Sequence, residues 1–438
     1  MLYKFLKLIV TIGLKLYYGQ IKVSNAKELN SPGAKIIIAN HPNTLMDAWM
    51  IGYASKKPIY YMAKGTFFTS RFKRKLLTSL GMIPINRSAD GNTKGVSNVD
   101  SFEMCYRLLE EGKSLVIFPE GTSYSERLLR KLKSGSARIA LQTELRNKGE
   151  LGLKIIPVGL VYLEPAKFRS SVLINVGAPI SPLKFLPQFQ TDTLKAARQL
   201  TAVFKKELSQ LLVGSETKEH ETLADKIIGI LVSSYSLDTP KGLEHDISFI
   251  KKVNEKVIDI SRKAPESIKD LEQLVYQIEW QVEKLDVKSE FLDRKFRSGM
   301  FVRQILQSII GLILGLPFFL WGMIHNAIPY YFADWVIPKI VKDIEYFAPL
   351  AVLLGLITYP LNYFGFVVLA HYAFGLDGWN QLFYFATMPI SGLFAYYFYH
   401  YYKHITFKLS FTMLMKSEGD AVAALKKDRK ELRDLILG

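Results

Sequence analysis

The sequence contains a single cysteine, Cys105, among 438 residues. One thiol cannot form an intrachain disulfide or a cysteine-based metal cluster, and such scarcity is typical of domains that face a reducing cytosol. We therefore expect the domains of this chain on the cytosolic side of any membrane, and Cys105 as a buried helix residue. The sequence also shows no other cluster of metal-ligating side chains, so it predicts no metal site.

Acidic residues are the second deficit. Lys and Arg number 57 against 40 Asp and Glu, a formal net charge of +17, while 49% of the residues are hydrophobic. This combination of apolar and basic residues favours contact with an anionic membrane surface or with phosphate-bearing substrates. Zinc-ligand patterns, RNA-binding aromatic motifs and basic zipper regions are missing, so nucleic acid is not an expected partner.

Residues 20–185 alternate short β-rich runs with helical stretches, which predicts an α/β domain with a mixed sheet flanked by helices. The expected helices lie near residues 45–55, 71–80, 97–111 and 135–146. The expected strands are residues 35–39, 58–62, 82–86, 114–118, 155–162 and 172–176. Polar residues that matter then fall at strand ends, where α/β sheets place their ligand sites.

The run IIIANHPNTLMDAW, residues 36–49, takes an apolar strand into a turn that carries His41. Asn43 or Thr44 is suited to cap a following helix that holds Asp47 in its first turns. A carboxylate on one ring nitrogen fixes the tautomer of a histidine and raises its basicity, as a general base needs. The alternative interpretation is a histidine that only satisfies a strand end.

Three further stretches place polar or special residues at the ends of strands or within them. GMIPINRS sets Arg87 just past the third strand, where a guanidinium can hold a phosphate by two parallel hydrogen bonds. FPEGTSYSE sets Glu120 in a turn, beside a Gly121 that lets backbone approach a ligand closely. IPVG puts Pro157 inside an apolar run, which predicts an edge strand or a bend beside a site. Each signal is weak by itself.

These stretches, in this order and at these spacings, resemble the four sequence blocks of the phospholipid/glycerol acyltransferase family. His41 with Asp47 is similar to the first block, Gly81 to Arg87 to the second, the FPEGT run to the third and Pro157 to the fourth. The third block is the most specific, and the resemblance covers about residues 20–185. One departure is that five residues separate His41 from Asp47, whereas the family pattern has four.

The resemblance implies an O-acyltransferase that needs no cofactor or metal. It would move a fatty acyl group from acyl-CoA or acyl carrier protein to a hydroxyl of a glycerol phosphate acceptor in phospholipid biosynthesis. His41, oriented by Asp47, would deprotonate the acceptor hydroxyl, which then attacks the thioester carbonyl. The residues implied or expected to bind substrate are Gly81, Arg87, Glu120, Gly121, Thr122, Pro157 and, as an added positive charge, Lys64.

The acceptor stays open between glycerol 3-phosphate, dihydroxyacetone phosphate and 1-acylglycerol 3-phosphate. The five-residue spacing and the long extension after the fourth block resemble the first two acceptor classes slightly more. Two other interpretations remain. The chain could be a phospholipid-remodelling transacylase that takes its acyl group from a phospholipid, or a non-catalytic lipid-binding membrane protein that kept the acyltransferase shell.

Residues 1–20 predict an amphipathic helix in a membrane interface, with a core helix of the first domain as the alternative. Lys4, Lys7, Thr11 and Lys15 share one narrow arc of the helix, so the lysines are expected to reach lipid headgroups.

The second half of the chain reads as helical throughout. We expect a catalytic domain at residues 21–185, a helical domain at 186–300, a transmembrane region at 301–405 and a charged helical tail at 406–438. Candidate spans are residues 305–324, 347–370 and 382–401, each near the roughly 20 residues that a membrane helix needs. Basic residues flank the region on both sides and favour the cytosol at each end. Three full crossings cannot satisfy both flanks. Either one segment is re-entrant or interfacial, or the aromatic stretch at residues 328–337 contributes a partial crossing.

Overall fold

The computed structural model describes residues 2–86, 98–235, 242–292 and 298–438. The chain divides into two compact units. The first comprises Met1–Gly214 together with Asp343–Val352, and the second comprises Ser215–Lys342 together with Leu353–Gly438.

A seven-stranded mixed sheet forms the centre of the first unit. Its strands are β1 (Gln20–Ser24), β2 (Lys35–Ala39), β3 (Ile59–Lys64), β4 (Met82–Ile85), β5 (Ser114–Ile117), β6 (Lys154–Tyr162) and β7 (Ser171–Val176). Their order across the sheet is β1-β7-β6-β2-β5-β3-β4. β6 and β7 pair antiparallel, and the other neighbours pair parallel. The predicted mixed sheet is confirmed, and six of its strands lie within a few residues of the predicted ones.

The central strands form where the sequence is apolar without interruption. β2 (KIIIA) and β5 (SLVI) are buried at every residue. Strands covered on both faces read as continuous apolar runs rather than as alternating patterns. β1 (QIKVS) was not predicted. It lies at the sheet edge, is only partly buried and carries just two apolar residues, so its sequence has no apolar run.

The sheet is flanked by helices, and the four helices predicted between residues 45 and 146 lie within a few residues of their expected positions. The flanking helices are α1 (Leu2–Tyr17), α2 (Ala26–Leu29), α3 (Leu45–Ala54), α4 (Arg71–Ser79), α5 (Asn98–Glu110), α6 (Gly135–Arg146), α7 (Leu186–Thr191) and α8 (Thr193–Leu211). One core joins Ile36 and Ile38 of β2 to Leu109 of α5, Ile139 of α6 and Phe204 of α8.

α8 therefore belongs to the sheet domain. Its residues Ala197, Leu200 and Leu208 lie in the same core as the strands, and the first unit runs to Gly214. The helical domain predicted for residues 186–300 begins later in the structure, at Ser215. An amphipathic pattern shows that a helix buries one face, but it does not show which partner covers that face.

α1 is a helix as predicted, but its lysine face is not wholly free. The Lys7 ammonium donates to the carbonyl of Ser55. The exposed side chains of the helix include Lys4 and Lys15 and the large apolar residues Phe5, Leu8, Ile12 and Leu16. The expectation that Lys7 reaches lipid headgroups is therefore wrong, because its ammonium binds the domain itself.

Cys105 lies on α5 and is fully buried in this core, which confirms the predicted position. Burial raises the pKa of its thiol to about 12. Because the thiolate is the reactive form, we expect no maleimide labelling of the native protein at pH 7.5 and one label per chain after unfolding in guanidinium. Mass spectrometry of the intact chain measures both. Stoichiometric labelling of the native protein would contradict the packing of α5.

The remaining elements of the described chain are helices. They are α9 (Lys218–Tyr235), α10 (Leu243–Lys263), α11 (Pro265–Lys284), α12 (Ser289–Leu292), α13 (Ser298–Ile340), α14 (Phe347–Phe374), α15 (Gly378–Ser417) and α16 (Gly419–Leu437). α9, α10, α11 and α16 share a second core that contains Leu231, Phe249, Val275 and Leu425. The charged tail thus forms a helix with one buried apolar side.

Two helical segments of the described chain are long and apolar enough to cross a bilayer, Ile305–Ile340 and Ile344–Phe374. They contain the first two predicted spans. The third, residues 382–401, lies in α15, which is not one of these two; its many tyrosines and histidines lower its hydropathy. α15 packs antiparallel on α13, since Gly311 faces Tyr402 and Gly315 faces Phe398. The start of α13 and the end of α15 therefore lie at the same end of this helix pair.

Candidate active site

The strand ends singled out in the sequence meet at one edge of the sheet. β2, β5, β3 and β4 are parallel neighbours in that order, so their carboxyl ends share an edge. His41 comes shortly after β2, Phe118 directly follows β5, and Lys64 ends β3. Ligand sites of α/β sheets form outside this edge.

Asn40 fixes the point at which the chain leaves β2. Its side-chain amide donates to the carbonyl of Leu160 at 3.0 Å and accepts from the N–H of Leu160 at 2.8 Å. The side chain thus continues the β2–β6 pairing by one position after the backbone ladder ends. His41, the next residue, starts from an anchored position.

His41 and Asp47 form a direct pair, as the sequence predicted. The His41 Nδ1 atom lies 2.8 Å from Oδ2 of Asp47. Asp47 sits in the first turn of α3, where the positive end of the helix dipole favours a carboxylate. The Asp47 side chain is fully buried, whereas that of His41 is 19% exposed. One ring nitrogen is therefore held by a buried carboxylate while the ring can still be reached from outside.

Thr44 accommodates the five-residue spacing between the two residues. Its backbone has φ 43° and ψ −119°, a conformation that β-branched residues rarely adopt. The Thr44 N–H donates to Oγ of Ser123, and its hydroxyl donates to the carbonyl of Glu345, both at 2.9 Å. Thr44 precedes α3, but its side chain does not cap that helix. A turn strained at one residue thus brings His41 and Asp47 together.

The Asp47 carboxylate accepts two further hydrogen bonds. The N–H of Asn43 donates to Oδ2 at 2.7 Å, and the hydroxyl of Tyr162 donates to Oδ1 at 2.8 Å. Burial raises the pKa of Asp47, and the hydrogen bonds from His41, Asn43 and Tyr162 oppose that shift. The contact between Tyr162 and Asp47 was not predicted from the sequence. The position of Tyr162 at the end of a strand was the only available signal.

The third block wraps around His41. The ring of Phe118 stacks on the imidazole, with centroids 4.0 Å apart and planes 9° from parallel. The N–H of Tyr124 donates to the His41 carbonyl at 3.1 Å. The ring and the backbone of His41 are therefore both fixed by residues that follow β5.

Glu120 connects this turn to the backbone on either side. Its Oε1 accepts from the N–H of His41 at 3.1 Å, and its Oε2 accepts from the N–H of Arg130 at 3.3 Å. Burial raises the pKa of Glu120, and the two N–H groups oppose the shift. The resemblance implies substrate binding by Glu120, which stays a prediction. In the structure both of its oxygens hold backbone N–H groups.

We expect Glu120→Gln to lower kcat by about 10- to 100-fold with little change in the acceptor KM. Glutamine has only one acceptor oxygen, so either the His41 or the Arg130 N–H loses its partner, and the catalytic turn shifts. Initial rates at varied acceptor concentration separate the two parameters. A raised acceptor KM with unchanged kcat would contradict this expectation and support the substrate-binding role.

The residues after Glu120 form a tight turn. Gly121 has φ +76°, a left-handed conformation that glycine adopts without strain, and its N–H donates to the Phe118 carbonyl at 3.0 Å. A Cβ atom at Gly121 would come within 2.6 Å of the Lys133 ammonium. Thr122 is exposed beside it. Gly121 and Thr122 directly follow Glu120, which accepts from the His41 N–H. Their predicted contacts with substrate stay predictions.

Gly81 does not lie with the other predicted site residues. It precedes β4, so it lies at the opposite edge of the parallel strands from His41. Gly81 has φ +81°, and its carbonyl accepts from the N–H of Tyr61 at 2.8 Å. A Cβ atom there would come within 2.9 Å of the Ile59 carbonyl. Its position accounts for a glycine in the turn and gives no support to a substrate contact.

Pro157 was expected on an edge strand or at a bend. The edge-strand alternative is wrong, because β6 lies between β7 and β2, with Pro157 buried in register with Ile38. The pairing with β7 is irregular at this point. A bridge joins Ile155 to Ile180, and the regular ladder resumes only at Val158 and Val176. Such a bulge tolerates the missing N–H of proline. The predicted channel-lining role of Pro157 is untested.

Lys64 and Arg87 were expected to supply positive charge. Lys64 is partly buried at the carboxyl end of β3, in register with Ile85, the last residue of β4. Arg87 lies outside the described residues. The roles predicted for both stay predictions. Within the described part of the chain, no group of three or more His, Cys, Asp or Glu side chains is arranged to hold a metal ion.

Comparison with known proteins identifies the type of domain that contains this edge of the sheet. Residues 20–161 match the family model described as "Acyltransferase". This segment contains His41, Asp47, the FPEGT turn and Pro157. Residues 20–161 are therefore an acyltransferase domain similar to those of glycerol phosphate acyltransferases. The predicted family is thereby confirmed, and we call residues 20–161 the acyltransferase domain.

Named relatives match about a third to two fifths of the chain. A glycerol-3-phosphate O-acyltransferase of Saccharomyces cerevisiae is 27% identical over 34% of this chain and 20% of its own length. A 1-acyl-sn-glycerol-3-phosphate acyltransferase of Borreliella burgdorferi is 28% identical over 43% of this chain and 74% of its own length. An uncharacterized acyltransferase of Schizosaccharomyces pombe is 28% identical over 36% of this chain. The chain spans about a fifth of the length of both yeast relatives.

Among solved structures, one match is distant. The crystal structure of a 1-acyl-sn-glycerophosphate acyltransferase from Thermotoga maritima aligns with 47% of this chain and 79% of its own, at 18% identity and a TM-score of 0.34.

Proposed function

We propose that this chain is a membrane-bound O-acyltransferase that moves a fatty acyl group from an acyl-CoA or acyl carrier protein thioester to a hydroxyl of a glycerol phosphate acceptor. The observation that carries the proposal is the 2.8 Å contact between Nδ1 of His41 and the buried carboxylate of Asp47. Together with the match of residues 20–161 to the acyltransferase model, this contact supports a general base at the partly exposed His41 ring.

The reaction follows from which ring nitrogen is engaged. Because Nδ1 faces Asp47, the Nε2 atom of His41 accepts the proton of the acceptor hydroxyl. The hydroxyl oxygen attacks the thioester carbonyl carbon, the carbon–sulfur bond breaks, and the protonated imidazole returns its proton to the departing sulfur. A base positioned in this way contributes about 10² to 10⁴-fold to the rate. No acyl-enzyme is required, because the acceptor oxygen is itself the nucleophile.

Membrane attachment is the second part of the proposal. The exposed apolar side chains of α1, Phe5, Leu8, Ile12 and Leu16, are suited to the interfacial region of a bilayer. The two apolar segments Ile305–Ile340 and Ile344–Phe374 are suited to hydrocarbon. The antiparallel packing of α13 and α15 agrees with basic flanks on one side of the membrane, which we assign to the cytosol.

The experiment uses the purified full chain in phospholipid vesicles with labelled palmitoyl-CoA. Glycerol 3-phosphate, dihydroxyacetone phosphate and 1-acylglycerol 3-phosphate are offered separately, and the set is repeated with palmitoyl-acyl carrier protein. Labelled product with at least one acceptor, dependent on the thioester, supports the proposal and selects the acceptor.

Two outcomes favour the other interpretations. Acyl transfer from vesicle phospholipid without any thioester would identify a remodelling transacylase. Saturable lipid binding with no product under either donor would identify a non-catalytic lipid-binding protein and refute the proposed reaction.

A further inference from the structure

Different parts of the chain hold the two oxygens of the Asp47 carboxylate. Oδ2 accepts from Nδ1 of His41 at 2.8 Å and from the N–H of Asn43 at 2.7 Å. Oδ1 accepts from the hydroxyl of Tyr162 at 2.8 Å. The Oδ2 donors belong to the turn that carries the histidine, whereas the Oδ1 donor comes from the end of β6, more than a hundred residues further along the chain.

Tyr162 is well placed to stop rotation of that carboxylate. A carboxylate held through one oxygen can turn about its Cβ–Cγ bond and carry that oxygen away from its partner. The Tyr162 side chain is buried, and its ring lies 5.9 Å from the ring of Tyr18. β6 pairs with β2 through Val158 and Ala39, just before the chain reaches His41. The sheet thus fixes the distance between the hydroxyl and the catalytic turn.

We propose that Tyr162 is a positioning residue of the acyl-transfer site, which holds Asp47 so that Oδ2 stays on Nδ1 of His41. The inference deepens the proposed function and rests on it for its effect on turnover. Its structural content, a hydroxyl that stabilises the ionised form of Asp47, can be tested without turnover.

The groups around Asp47 determine how the loss of the Tyr162 hydroxyl should change the pKa of Asp47. Among the described residues, His41, Tyr162, Tyr18 and Glu120 interact electrostatically with Asp47. The Tyr162 hydroxyl donates to the ionised carboxylate, so it opposes the rise in the pKa of Asp47 that burial causes. Removing the hydroxyl therefore raises the pKa of Asp47, and the ionised form that holds His41 is lost at a higher pH.

The first test compares Tyr162→Phe with Tyr61→Phe. Tyr61 is a matched control, because its hydroxyl also bonds to α3 but at the carbonyl of Ala48, 3.0 Å away, and not at the Asp47 carboxylate. We expect Tyr162→Phe to lower kcat by about 10- to 100-fold with little change in KM, and to move the acid limb of the pH profile to higher pH. We expect Tyr61→Phe to stay within about twofold of the wild type. Unchanged kcat, or the same loss in both variants, would overturn the proposal.

The second test measures Tm against pH and needs no activity. A hydrogen bond to a carboxylate is stronger than one to a neutral carboxyl, so the Tm deficit of Tyr162→Phe should grow as pH rises from about 4 to 8. The growth should vanish when Asp47→Asn is also present, and Tyr61→Phe should show a constant deficit. A pH-independent deficit in Tyr162→Phe would overturn the proposal. If the wild type shows no turnover, the proposed function is refuted. The Tm measurements would then still decide whether Tyr162 stabilises the ionised form of Asp47.

Discussion

His41→Ala is expected to lower kcat by about 10² to 10⁴-fold in the acyl-transfer assay. The variant removes the nitrogen that accepts the hydroxyl proton of the acceptor in the proposed reaction. It leaves in place the Asp47 carboxylate and the turn that follows Phe118. The donor and acceptor KM values should change much less than kcat, because the imidazole acts on the transferred proton and not on the bulk of either substrate. Initial rates with labelled palmitoyl-CoA at varied acceptor concentration measure both parameters.

His220→Ala is the matched control for this loss. His220 belongs to the second unit, where its Nε2 lies 2.9 Å from Oγ of Ser261. We expect its kcat to equal that of the wild type. If His41→Ala keeps more than about a tenth of the wild-type kcat, general-base catalysis by His41 is refuted.

Asp47→Asn is the second large effect, and we expect a kcat loss of about 10² to 10⁴-fold. Three donors converge on the carboxylate, from His41, Asn43 and Tyr162. An asparagine offers one acceptor oxygen, and its amide hydrogens would face at least one of these donors. The imidazole then loses the partner that fixes its tautomer and orientation. The same initial-rate assay measures the loss, and an Asp47→Asn enzyme with near wild-type kcat would contradict it.

The difference in Tm between Asp47→Asn and the wild type should depend on pH, because burial shifts the pKa of Asp47. Burial raises the pKa of Asp47 above its ordinary value of 3.8. The folded state therefore binds the Asp47 proton more tightly than the unfolded state does. The resulting stabilisation of the wild type is fully present below pH 3.8 and is lost as pH rises through the folded-state pKa. Asparagine does not titrate, so the Tm of the variant relative to the wild type should rise across this window. A relative Tm that falls with rising pH would contradict the assignment.

The parts of the fold that follow from local sequence were predictable. β2 and β5 are uninterrupted apolar runs, and α3 follows a turn marked by proline and asparagine, so the expected elements match the observed ones. The pairing of His41 with Asp47 was also predictable, because both residues lie in one short strand–turn–helix unit.

Features that depend on neighbours distant in sequence were not predictable. The apolar run around Pro157 predicts a strand but does not show which strands lie beside it. An edge position was therefore as consistent with the sequence as the observed position between β7 and β2. The turn at Glu120 indicates an acid near the site but not that its oxygens meet the backbone N–H groups of His41 and Arg130. The contact of Tyr162 with Asp47 depends on the register between β6 and β2, which no local pattern of residues specifies.

The strained backbone of Thr44 bears on how such enzymes are recognised. A pattern search that demands four residues between histidine and aspartate passes over this chain, in which five intervene. The contact between His41 and Asp47 is nevertheless formed, in a turn that contains one residue with positive φ, Thr44. Chemistry depends on the separation of two atoms and not on a count of residues between them. A three-dimensional template built on that separation would retrieve this chain where a fixed-spacing signature rejects it.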